Sequence, residues 1–210
     1  MKKILCLSLT IIMIFSLTSC NEKRIPVEKT KNNFNKYVEE IEKCKQQNNI
    51  IFDTYEDNFK DNSGGINFTF AEDDNISVSF QLYNDRFNPF GENYKNGVEK
   101  YYIWYQREFN YIDNILNTEN SAFKILPVIL SNITSQNVTE NETKQHFSEL
   151  KETIQIPDCD YTKSEDNFIE ESSNFKNVRI RYSLSYSNIN NKLYEVISFG
   201  GEGYNNYTVV

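Results

Sequence analysis

Histidine, proline and glycine are scarce in this 210-residue chain, at 1, 4 and 7 copies, and 22 basic residues face 30 acidic ones. Each shortage excludes something. His146 is the single imidazole, so a histidine triad, a His-metal cluster or a proton shuttle has one residue to build on, and no nucleophile motif accompanies it. Zinc takes three or four ligands from Cys, His and carboxylates, which one His and two separated Cys do not supply. No metal and no cofactor is expected. The formal charge of −8 disfavours nucleic acid, whose affinity rests on Lys and Arg neutralising phosphates. Phosphate-cradling glycine loops, dinucleotide fingerprints and a Gly-flanked nucleophilic serine are all missing. Asp57 to Gly65 lacks the alternating ligands and terminal Glu of an EF-hand loop. Gly200-Gly201-Glu202-Gly203 follows a strand pattern with no helix to receive a phosphate, so it reads as a loop. No catalytic residue is assigned.

Aromatic residues, by contrast, are plentiful. Fifteen Phe and 14 Tyr allow a polar chain to bury a core, which sets it apart from disordered sequences. The longest apolar run, Ile4 to Leu17, is shorter than the roughly 20 residues of a spanning helix. Lys2 and Lys3 precede it, and small residues follow, which is the layout of a secretory signal peptide. The run closes in Leu17-Thr18-Ser19-Cys20, which resembles the lipobox of bacterial lipoprotein precursors. That resemblance implies cleavage before Cys20, a diacylglyceryl group on its thiol and often a third chain on the new amine. It also implies a lipid-anchored protein facing outside the cytoplasm, on the cell membrane or the outer membrane. Cleavage removes Lys2 and Lys3, leaving 20 basic against 30 acidic residues. With so few basic residues, the acyl chains are left to hold the membrane.

Cys6 leaves with the signal, so Cys44 and Cys159 remain as a possible disulfide. It would close a loop worth about 4–5 kcal/mol in chain entropy. The alternative is two buried thiols, and Cys44 falls three residues after Ile41 on an apolar stripe.

Residues 20–33 read as the lipidated N-terminus and a polar tether, and 34–210 as a single α+β domain. Phe34, Tyr37, Val38 and Ile41 mark a first helix. Alternation over Ile66–Phe70 and Ile76–Leu82 predicts a hairpin. Val98, Tyr102, Tyr105, Phe109, Ile112 and Leu116 recur at helical spacing, which predicts a central helix over 95–117 with Trp104 in its packed arc. Ile125 to Ile133, containing Pro127, reads as a short buried helix. Thr139 and Glu142 form a capping-box pattern opening a helix that runs to Pro157. A second hairpin follows at 178–186 and 193–199, with a last edge strand at 207–210. The expected fold is an antiparallel sheet of two hairpins, four to five strands, covered on one face by three to four helices. Glu56-Asp57-Asn58-Phe59 recurs as Glu165-Asp166-Asn167-Phe168, which suggests a duplicated helix-hairpin unit.

Arg179 and Arg181 project together from a strand and offer a contact for an anion, or a cross-strand pair with Glu195. Carboxylate pairs that general acid/base chemistry would need occur at Asp73-Asp74, Asp158 with Asp160, Glu165-Asp166 and Glu170-Glu171. The reading favoured is a membrane-anchored, non-enzymatic binding or interaction protein, of inhibitor or immunity type, with a basic protein as partner. Solute or glycan capture is the second class, and a carboxylate-dependent hydrolase the third.

Overall fold

The computed structural model describes residues 24–70, 75–87, 93–158, 160–163 and 167–200. Its backbone is one antiparallel sheet, larger than the two hairpins expected. The strands are β1 Arg24–Ile25, β2 Phe52–Lys60, β3 Ser63–Phe70, β4 Asn75–Phe87, β5 Asn93–Phe109, β6 Ile169–Phe175, β7 Val178–Ser187 and β8 Lys192–Gly200. Their order is β2-β3-β4-β5-β8-β7-β6, with β1 paired to β5. Three helices are found among the described residues: α1 Val27–Asn48, α2 Ala122–Thr134 and α3 Glu140–Thr153. Two meanders therefore meet at the β5–β8 pair, and α2 and α3 lie in the connection between them.

The four-to-five-strand sheet is corrected in three places. The helix expected over 95–117 is the long central strand β5. Ile103, Tyr105, Arg107 and Phe109 alternate as buried positions, while Tyr102, Trp104, Gln106 and Glu108 face the other way. Aromatics on both faces hid the period of two, and a charged residue occupies a core position. Tyr, Trp and Ile are strand formers, so the local preference agrees with the outcome. Strands β2 and β6 were also unanticipated. Both are edge strands with largely exposed, polar side chains, and edges carry little apolar signal. The duplication is not borne out either. Glu56 to Phe59 lies within β2, whereas Asn167 and Phe168 precede β6, and residues 164–166 fall outside the described residues.

Folding begins earlier than the tether reading allowed. Strand β1 starts at Arg24, and the Pro26 carbonyl accepts the first helical bonds from Lys29 and Thr30. The polar run from Glu28 to Asn33 belongs to the first two turns of α1. Thr30, Phe34, Tyr37, Ile41 and Cys44, at alternating spacings of four and three, are its buried stripe. The expected capping box holds: the Glu142 N–H donates to Thr139 Oγ1 at 3.2 Å and the Thr139 N–H to Glu142 Oε2 at 2.8 Å. The 207–210 strand, Cys20 and the signal segment lie outside the described residues.

All three helices pack on one face of the sheet. Tyr37 meets Phe80, Phe123 meets Tyr105 and Phe147, and Phe147 meets Phe199, with ring centroids 4.8 to 6.0 Å apart. The opposite face carries no helix among the described residues.

Candidate functional site

Polar groups gather at three places. The first lies inside the core. Arg107 and Glu195 are fully buried and paired at 3.1 Å, Nε to Oε1. Glu195 Oε2 accepts from the Leu116 N–H at 2.7 Å and from the Tyr182 hydroxyl at 3.2 Å. Arg107 also donates to the Asn114 carbonyl and lies 4.2 Å over the Phe109 ring. Burial raises the Glu195 carboxyl above its ordinary value against the pull of Arg107 and these donors. Burial and the adjacent Glu195 push the Tyr182 phenol up as well. The network ties the 110–116 loop to the two central strands from within the core.

The second place is a cleft of about 400 Å³ between α1, β5 and the C-terminal end of α2. It sits along β5 between its described pairings with β8 and with β1. Strand β8 ends opposite Tyr102, β1 pairs from Val98, and Glu99 and Tyr101 lie between. Glu99 receives the Asn33 amide at 3.1 Å on each oxygen. Its carboxyl is raised by burial, with Asn33, Thr30 and Lys29 opposing. Burial raises Tyr101 to about 12. Tyr37 is raised by burial first, then by Glu99, Tyr101 and Glu40. Asn132 donates to Glu40, and Lys36 stands at the mouth 3.5 Å from Glu40 Oε1.

The third is the open face of the sheet. Strand pairing aligns Asn67, Ser79, Trp104, Ser198 and Arg181 in one row across β3, β4, β5, β8 and β7. The rows on either side are Gly65, Gln81, Tyr102, Gly200 and Arg179, and Thr69, Ser77, Gln106, Val196 and Ser183. Tyr102 centres an aromatic group, 4.6 Å from Trp104 and 6.4 Å from Tyr83. Its hydroxyl donates to Gln81. Arg179 and Arg181, expected as anion contacts, are both exposed here. The expected pairing with Glu195 fails, because Glu195 faces the core opposite Leu184.

Nothing among family models, curated proteins or solved structures matches this chain. Its sites are read from its own residues.

The remaining sequence candidates scatter. His146 accepts from or donates to Ser173 Oγ at 3.0 Å and lies 5.1 Å from the Phe175 ring. Burial holds its pKa below the ordinary value. Cys44 is a buried free thiol 3.4 Å from the Lys124 carbonyl, and Cys159 lies outside the described residues. Asp160 pairs with Lys163 at 2.7 Å on the surface, Asp158 is exposed, and Glu170 and Glu171 point to opposite faces of edge strand β6. Asp73-Asp74 and Glu165-Asp166 fall outside the described residues. No group of three potential metal ligands occurs among the described residues. The helical reading of 95–117 hides Glu99 and assigns Trp104 to a packed arc instead of a binding surface. With period two applied to 97–109, the alternation of Trp104 and Tyr102 with Ile103 and Tyr105 would have placed them on the open face.

Proposed function

We propose that this chain is a lipid-anchored binding protein outside the cytoplasm, and that it meets its partner with the open face of its sheet. The anchor rests on Leu17-Thr18-Ser19-Cys20. The binding role rests on one observation: the single Trp of the chain stands with Tyr102 on the face that no described helix covers. Both are half-buried among their neighbours on that face, and large aromatics supply much of the energy at recognition surfaces.

The anchor and the fold together set an orientation. Cys20 precedes Arg24 by four residues, a reach of at most about 14 Å. Strand β1 is hydrogen-bonded to β5 at Gly97 and Val98, so the N-terminal end of β5 rides close to the bilayer. The open face then stands at a steep angle to the membrane and is presented sideways to the envelope. A basic protein remains a partner for the acidic remainder of the surface, away from Arg179 and Arg181.

Solute capture is a second reading, favoured by the cleft: a half-buried carboxylate flanked by two phenols and two amides fits a small polar molecule.

The test separates the anchor from the binding role. Cys20→Ser is expected to move the protein from the detergent phase to the aqueous phase, and the wild-type N-terminal peptide is expected to carry the mass of its acyl chains. A wild-type N-terminus free of lipid removes the anchor. For the surface, partner capture is expected to fall with Trp104→Ala and to be indifferent to Glu99→Gln; the reverse result moves the function to the cleft.

A further inference from the structure

We infer that the open face binds an anionic polysaccharide, with Trp104 and Tyr102 stacking on sugar rings and Arg181 pairing with their acidic groups. The inference rests on the binding role proposed above and assigns its ligand class. It comes from the distribution of charge. The three aligned rows hold fifteen positions on the five central strands, and none is Asp or Glu, although the chain has 30 acidic residues; Glu56 on β2 and Glu170 on β6 continue two of the rows at the sheet edges. Two of the fifteen are arginines. An acidic protein thus keeps carboxylates out of the centre of this face and confines them to its edge strands, with the arginines on β7, and such a central field favours a polyanion over a basic partner.

The other side chains in the field define the kind of polyanion. Asn67, Gln81, Gln106, Ser79, Ser183 and Ser198 supply amides and hydroxyls, which match sugar hydroxyls in both directions. Trp104 is bordered across the strands by Ser79 and Ser198. Neither serine is tall enough to wall off the indole, so a ring can lie against it. Tyr102 is bordered on one side by Gly200, which has no side chain at all. From β3 to β7 the field spans four strand intervals, about 19 Å, room for several consecutive sugars. Arg181 lies two strands from Trp104 in the same row, with Ser172 of β6 beyond it, and its guanidinium can take a carboxylate or sulfate in bidentate fashion. A nucleic acid would ask for more than two cations, and a hydrophobic peptide would leave the amides unpaired.

The test titrates the purified full-length protein with four polymers: polygalacturonate and heparin as anionic glycans, dextran as a neutral glycan, and poly-glutamate as a polyanion without sugar. Trp104 emission reports occupancy directly, being the only indole, and co-sedimentation reports binding by variants. Saturable binding of polygalacturonate or heparin is expected, with neither dextran nor poly-glutamate competing. Arg181→Gln is expected to weaken it by about tenfold, the loss of one charge-assisted contact. Trp104→Ala is expected to abolish sedimentation with the polymer while the far-ultraviolet circular dichroism stays unchanged. Equal binding of poly-glutamate overturns the sugar assignment, and equal binding of dextran overturns the anionic one. Binding of neither anionic glycan overturns the inference outright. Because lipidation is read by mass and detergent partition, failure here leaves the anchored binding role standing, and loss of the anchor leaves this result interpretable.

Discussion

At the scale of single residues, the molecule depends on a few polar groups placed where apolar ones would be expected. Glu195 is the sharpest case. Removing one member of a buried ion pair leaves the other charge unpaired, at a cost of about 3–5 kcal/mol. Glu195→Leu should therefore shift the urea midpoint strongly, and Arg107→Met/Glu195→Leu together should recover part of that loss. A double variant no more stable than the single would show that the Leu116 and Asn114 contacts, not the charge, carry the effect. His146 makes a pH statement. Burial depresses its pKa below the ordinary 6.5, so below that pH the unfolded chain takes up a proton that the folded chain resists. Stability should fall as pH drops through 6.5 and level off once the depressed folded value is passed. His146→Gln should flatten that part of the profile, as followed by melting temperature against pH.

At the scale of elements, the packing of α1 on β3 sets the helix layer in place. A Cβ at Gly64 would lie 2.4 to 2.7 Å from the ring carbons of Phe34, which is itself buried at 2% exposure. Gly64→Ala should therefore destabilise by about 1–3 kcal/mol through overpacking, measured as a lower urea midpoint. Adding Phe34→Leu should restore part of it, because a smaller side chain makes room. No recovery would place the strain in the strand backbone instead. The same element shows how a sequence pattern misleads. The alternation in β3 and β4 was legible because one face is apolar and the other polar. That contrast is absent in β5, where Tyr101, Tyr102, Trp104 and Tyr105 line both faces, and it is absent in β2 and β6, where few residues are covered. Period is a signal of burial contrast, so strands wet or aromatic on both sides lose it.

At the scale of the whole molecule, the proposed lipid anchor at Cys20, four residues before Arg24, makes orientation testable. The β2–β3 turn at Asp61 and Asn62 lies at the same end of the sheet as β1, and Asn62 donates to the Asn84 carbonyl at 2.7 Å. Buried Asn84 in turn holds the Ile25 carbonyl at 2.9 Å and Thr30 Oγ1 at 3.0 Å, pinning β1 and α1 to that end. Ile189, 97% exposed, and Tyr111, 71% exposed, lie at the opposite end, about 40 Å along β5. In reconstituted vesicles, a fluorophore at Asp61 should be quenched by headgroup-attached quencher and one at Ile189 should not. Equal quenching at both sites would mean that the domain lies flat on its side, and the sideways display of the open face would be withdrawn.

The residues alone carry the signal-like pattern and lipobox-like tetrapeptide on which the anchor is proposed, the single histidine, the two apolar hairpins and the α3 cap, because each depends on neighbours within a few positions along the chain. Pairing across 77 to 88 positions is a different matter. That Arg107 meets Glu195, that Leu116 donates to the same carboxylate, and that Arg181 shares a row with Trp104 follow from β8 docking beside β5. No local preference encodes that register. It emerges when burial of one sheet face against three helices selects which strands can lie side by side, and the composition of the open face is the consequence.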